Sequence, residues 1–225
     1  MIYNTKITKN FDRDEVLSLL EKKRSENPNL RVVDVGGAHC CWGREYVTHI
    51  VDIHPPQHDS HPPKPKEGTK YYTGQMCNIP VWLEVEKEVE ENGKFDFLLS
   101  THTIEDVSSI SFLRQMFSMV AKEGYIAVPS KYTELNRFSD QSFRGYIHHR
   151  WIFDAKGNNI TAYPKQCFLE YMPYIENWTK NNPRTEENAE LQFYWKDDLN
   201  IEIVNDDMLG PSPQAVMDYY KQLVY

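Results

Sequence analysis

The chain has 225 residues and a formal charge of -8, with 25 Lys and Arg against 33 Asp and Glu. That balance argues against a nucleic-acid binder held by bulk electrostatics. No window is apolar for long enough to cross a bilayer, and 13% aromatic residues supply a packed core rather than a disordered chain.

The N-terminus lacks a basic-then-apolar leader, and Cys40, Cys41, Cys77 and Cys167 form no C-x-x-C pair. The expectation is one cytoplasmic domain over residues 1–225 with reduced thiols. Asp12 and Glu15 have capping-box spacing ahead of Val16, Leu17, Leu19 and Leu20, so a first helix is predicted to run to Ser25, before Pro28. Apolar runs at 31–35 and 48–53 read as buried strands, with a short helix at 42–46 between them. Five prolines between His54 and Lys70 mark an exposed loop, and Tyr71 and Tyr72 fall in a short third strand.

A helix is predicted at 81–91, a buried strand at 95–100, a helix at 110–120 and a strand at 124–129. Alternating strands and helices imply parallel strands with right-handed crossovers. The pattern then changes. Residues 150–154 and 159–163, joined through Lys156, Gly157 and Asn158, predict a β-hairpin, and 191–195 with 201–204 predict a second one. Ser212 and Pro213 open a last helix ending near Leu223.

The chemistry concentrates first at Asp34, Gly36, Gly37 and Ala38, where an apolar strand breaks into a tight turn. Asp52 follows at about the 20-residue spacing that brings a carboxylate to a ribose in doubly wound nucleotide folds. A dinucleotide needs further glycines for its pyrophosphate, which His39, Cys40 and Cys41 do not supply. S-adenosylmethionine carries no phosphate and asks only for one tight turn and polar groups for its amino-acid tail, so it is the expected cofactor.

The second concentration is Ser100, Thr101, His102, Glu105 and Asp106, just past a strand's carboxyl end, where ligand crevices form in open α/β sheets. Here the sequence resembles the class I S-adenosylmethionine-dependent methyltransferases of small-molecule type. The likeness is carried by the run from Phe95 to Asp106, by Val33 to Ala38, by Gly124 to Ser130, and by Gly145 to Trp151 with its His-Arg-Trp segment. It spans about residues 30–165. The resemblance implies a Rossmann-like class I methyltransferase fold: a mixed, mostly parallel sheet, helices on both faces, and a C-terminal antiparallel hairpin. It also implies that Asp34, Gly36, Gly37 and Ala38 touch the methionine part of the cofactor, that Asp52 holds the ribose, and that Cys77 and Asn78 lie near the adenine; Ser100, at its strand's carboxyl end, is a further cofactor-binding candidate.

The third concentration is His148, His149 and Arg150, with Glu134 upstream. His102, His148, His149 and Glu105 are the candidate acid–base groups for a protonated acceptor. If the His148–His149 pair lies on a strand, at most one ring faces a site. Glu134, Arg144 and Arg150 are candidate substrate-binding residues, the arginines suiting an anionic group. Residues 131–165 are expected to form an inserted substrate-covering segment and hairpin. His54, His58 and His61 sit in a proline-rich loop that promises no fixed ligand set, so no metal is expected.

The sequence thus leads to methyl transfer from S-adenosylmethionine to an oxygen or nitrogen of a small molecule, such as a sugar or nucleotide-sugar, with no membrane or nucleic-acid partner. Two other readings fit the same residues: a catalytically degenerate binding or assembly module on this fold, and a different adenosine-cofactor enzyme.

Overall fold

The computed structural model describes residues 8–9, 11–37, 42–54, 66–139, 141–204 and 213–225. Helix α1 (Arg13–Glu26) begins with the expected capping box. Asp12 accepts from the Glu15 backbone N–H, and the Glu15 side chain accepts from that of Asp12. Such a cap is worth about 1 kcal/mol.

Strand β2 (Val32–Val35), β3 (His49–Asp52), β4 (Lys70–Thr73), β5 (Phe97–Thr101) and β6 (Glu123–Pro129) are all parallel, linked by β2–β3, β3–β4, β2–β5 and β5–β6 pairing. Strand β9 (Glu190–Lys196) runs antiparallel against β6, and β1 (Thr8–Lys9) antiparallel against β9. The seven-stranded order is β1-β9-β6-β5-β2-β3-β4. The chain starts its parallel run at β2, moves outward to β4, then returns to the other side of β2 with β5. That reversal between β2 and β5 is the topological switch point of a Rossmann-like sheet.

The period of two decides which face each side chain serves. Val33, Val35, Val51, Leu98, Ile126 and Val128 face helices α2 (Ile79–Asn92) and α3 (Ile110–Val120). Val32, Ile50, Phe97, Leu99, Tyr125 and Ala127 face α1 through Val16 and Leu20. Helices therefore cover both faces, as expected. Each fully buried Val or Leu contributes about 1.5–3 kcal/mol, so these two layers dominate the stabilisation.

The first hairpin forms as read, from β7 (Trp151–Lys156) and β8 (Asn159–Pro164), with Gly157 at φ +59° in the turn. The expected second, C-terminal hairpin does not form. Both edges of β9 are taken by β6 and β1, and β10 (Glu202–Ile203) instead adds to β8 in parallel, making a separate sheet of order β10-β8-β7. Leu199 and Ile201, buried between them, turn the chain away from its expected partner.

The helix expected at 42–46 is also absent. The segment makes a single turn in which Gly43 O accepts from Tyr46 and Val47 N–H. A Cβ on Gly43 would lie 2.7 Å from Leu99, so this turn is seated against the sheet with no room for a second one.

Three short elements carried no sequence signal: α4 (Lys131–Leu135), a 3-10 turn (Cys167–Tyr171) and α5 (Pro173–Asn181). With α6 (Pro213–Val224) they enclose a third core of Leu135, Ile152, Leu169, Ile175, Tyr220 and Leu223 behind the hairpin. Residues 205–212, including the expected helix start at Ser212, lie outside the described residues. Among the described residues no helix is long and apolar enough to cross a membrane.

Candidate active site

A cavity of about 410 Å³ opens at the carboxyl ends of the parallel strands, lined by Gly36, Asp52, His54, Gln75, Met76 and Cys77 on one side, and by His102, Thr103, Asp106, Val107, Ser108 and Arg150 on the other. Both its position at the switch point and its volume suit a small-molecule ligand. Gly36 has φ +86°, and a Cβ there would lie 2.1 Å from Thr103 Oγ1. Glycine is thus required twice, for the backbone conformation and for the approach of the loop after β5. A Cβ on Gly37 would in turn lie 2.1 Å from Asp34 Oδ2, so the second glycine lets the buried Asp34 carboxylate pack under the loop. Asp52 ends β3 on the cavity wall, its Oδ1 accepting the His54 backbone N–H at 2.8 Å.

Of the expected cofactor residues, Gly36, Asp52 and Cys77 line this cavity. Asp34, Gly37 and Ser100 are buried behind its wall, and Asn78 is the exposed N-cap of α2. Ala38 lies outside the described residues, as do Cys40 and Cys41.

A second cavity, of about 610 Å³, adjoins the ends of β6 and β9 and is lined by Arg13, Thr133, Tyr146, Arg184, Glu186, Glu187, Glu190 and Gln192. His102 lines both cavities. It sits at φ +50° with its N–H bonded to Ala127 O, a left-handed residue held in place by the neighbouring strand.

His102, an expected acid–base group, lies between two carboxylates. Its Nδ1 lies 3.5 Å from Glu105 Oε1 and its Nε2 2.5 Å from Glu190 Oε1. Glu105 and Glu190 together raise the imidazole to about 9, against the burial that would lower it. Burial opposes ionisation of Glu190, but hydrogen bonds from His102 and Gln192 hold its carboxyl at about 2. Burial pushes Glu105 up from the usual carboxylate range, with His102 working against it. The two carboxylates thus favour the protonated ring, which can donate to both. Glu105 is fully buried, and beyond its 3.5 Å approach to His102 neither carboxylate oxygen has a hydrogen-bond partner.

This pairing has a stability consequence. The imidazole moves from 6.5 unfolded to about 9 folded, so its contribution is complete below pH 6.5 and is lost as pH rises through 9. The ring is nearly half exposed, and solvent screening leaves on the order of 1 kcal/mol. Urea unfolding at about pH 6 and about pH 9.5 should show that loss in the native chain and not in His102→Gln. Equal losses in both would place the titration elsewhere.

Two expected substrate contacts are overturned. Arg144 is buried, with Nη1 donating to Leu135 O at 2.7 Å and Nη2 to Glu176 Oε2 at 2.7 Å. Glu134 is fully buried, with His149 Nδ1 at 2.8 Å from Oε1 and Lys165 Nζ at 2.6 Å from Oε2. Both Glu134 oxygens and both Arg144 Nη groups are paired inside the protein, and neither residue lines either cavity. Arg150 stays exposed on the first cavity, its backbone N–H donating to Glu105 O at 2.7 Å. His148 and His149 lie in a turn before β7, not on a strand, and His149 alone is buried.

Glu190, Arg13 and Arg184 were not found from sequence. The antiparallel docking of β9 brings Glu190, the packing of α1 brings Arg13 and the loop between α5 and β9 brings Arg184, each locally an ordinary charged residue.

No family model and no curated protein matches this chain. Solved structures do. An S-adenosylmethionine-dependent methyltransferase from Clostridium acetobutylicum ATCC 824 is 12% identical over 83% of this chain and 92% of its own, with a TM-score of 0.41. One from Mesorhizobium loti is 11% identical over 80% and 96%, with a TM-score of 0.39. Likeness at that distance says nothing about chemistry, which the cavity residues must carry. The class the observed strand order defines is the Rossmann-like α/β protein with a crevice at its switch point.

Proposed function

We propose that the chain binds S-adenosylmethionine in the first cavity and transfers its methyl group to an oxygen or nitrogen of a polar small molecule in the second. The observation that carries this reading is His102: one side chain lines both cavities, so a donor held by Asp52 and Gly36 and an acceptor beside Glu190 would meet across it. Asp52 would take the ribose hydroxyls, Cys77 and Met76 the adenine side, and Arg150 the carboxylate of the methionine tail rather than an acceptor group.

In the reaction the acceptor's lone pair forms the new bond to the methyl carbon as the carbon–sulfur bond breaks. Sulfur keeps the electron pair, S-adenosylhomocysteine leaves uncharged at sulfur, and the acceptor's proton passes to solvent. Positioning and exclusion of water supply most of the rate of such an in-line displacement. The mixed lining of Arg13, Arg184, Glu186, Glu187 and the His102 imidazolium suits a hydrogen-bonding acceptor such as a sugar derivative. Thr133 and Tyr146, from the segment after β6, would cover it.

Calorimetry with S-adenosylmethionine and S-adenosylhomocysteine tests the reading, followed by detection of S-adenosylhomocysteine in acceptor mixtures. Saturable heat is expected from both ligands. No heat and no thermal shift at millimolar ligand would sink it, leaving the binding or assembly module. Binding with a product other than S-adenosylhomocysteine would favour another adenosine-cofactor enzyme.

A further inference from the structure

Asp106, on the wall of the first cavity, converges with His148 and His149. Asp106 Oδ1 lies 3.9 Å from His148 Nε2 and 3.9 Å from His149 Nε2, and one ligand atom from each residue falls within 4.8 Å of the others. These separations are too long for hydrogen bonds. An ion bound at about 2.0–2.2 Å by each would hold tetrahedral ligands about 3.3–3.5 Å apart, so small side-chain rotations close the set.

A second observation points the same way. His149 Nδ1 sits 2.8 Å from the buried Glu134 Oε1, and Lys165 Nζ secures the other oxygen at 2.6 Å. A ring that donates its Nδ1–H to a carboxylate has its Nε2 lone pair free and aimed, which is how proteins orient a metal-bound imidazole. The two loops are also stitched in register, by Arg150 N–H to Glu105 O at 2.7 Å and by Trp151 Nε1–H to Val107 O at 2.8 Å. Tyr146 packs on His149 with ring centroids 4.7 Å apart. The site is held by structure on both sides before any ion arrives.

From this geometry we infer that Asp106, His148 and His149 bind a divalent transition-metal ion, with Glu134 as a positioning residue. Two imidazoles and one carboxylate select a borderline ion such as Zn²⁺ or Co²⁺ over Mg²⁺ or Ca²⁺, which prefer oxygen. Three protein ligands leave a coordination position open, and Asp106 lies on the wall of the first cavity. A ligand oxygen entering that cavity would reach the open position and be polarised there. The metal site does not rest on the methyl-transfer reading.

Titration of the full chain with Co²⁺, read by visible absorption, and competition by Zn²⁺ test the site. One equivalent should bind with an imidazole-ligated spectrum, and Zn²⁺ should displace it. His148→Ala and Asp106→Asn, both at exposed positions, should each weaken binding at least about 100-fold, and Glu134→Gln about 10–100-fold with an unchanged circular dichroism spectrum. Binding that survives His148→Ala and Asp106→Asn, or no binding tighter than about 100 µM, overturns the inference. Calorimetry with S-adenosylhomocysteine on the same samples separates the two ideas, because its failure with intact metal binding removes the cofactor reading alone.

Discussion

Glu134→Ala should cost about 3–5 kcal/mol of folding stability, the range for removing one partner of a buried ion pair. Glu134 is fully buried and joins three pieces of chain: α4, the turn carrying His149, and Lys165 after β8. Gly145 is part of the same fit, since a Cβ there would lie 2.6 Å from Glu134 Oε2. Truncation leaves a buried lysine and an imidazole facing a void. Lys165 keeps the carbonyls of Arg144 and Tyr146 at 3.0 and 2.7 Å, which places the loss nearer the lower end. Glu134→Gln preserves the shape and should cost about 1–3 kcal/mol, leaving a folded chain. Urea denaturation of the three proteins measures both numbers. A loss under about 1 kcal/mol for the alanine variant would show that water enters and resolvates the site.

Asp52→Ala should weaken S-adenosylhomocysteine about 10–100-fold, because hydrogen bonds to a charged acceptor are worth about 1.5–3 kcal/mol. Asp52 closes β3 at the cavity wall and also accepts the His54 N–H, so the turn loses a bond as well. Asp52→Asn keeps an acceptor for that turn while removing the charge, and should fall between native and alanine. Calorimetry on folded samples reads the affinity apart from the stability. Unchanged affinity in both variants would place the ribose elsewhere in the cavity.

Much of the sheet was legible because buried parallel strands read as continuous apolar runs, and β2, β3, β5 and β6 are buried along nearly their whole length. The capping box before α1 and the Gly157 turn are local chemistry and were likewise readable. The second hairpin failed because alternation in β9 records which face is buried, not which strand lies beside it. The helix at 42–46 failed because helical composition cannot reveal that Gly43 is pressed against Leu99.

Site residues divide the same way. Gly36 and Asp52 reach the cavity wall because a strand end fixes both their neighbourhood and their direction. Arg144 and Glu134 were misassigned because charge in a sequence looks the same whether it faces a ligand or an internal partner. By itself the sequence determined the alternating strands and helices, the crevice at their carboxyl ends and the glycine–carboxylate pair that suits an adenosine ligand, all consequences of local periodicity and backbone sterics. Only the tertiary structure decided that β9 brings Glu190 against His102, favouring its protonated ring, and that Asp106 comes near His148 and His149 across two loops. Those outcomes depend on distances between groups far apart in the chain, and no local pattern encodes a distance.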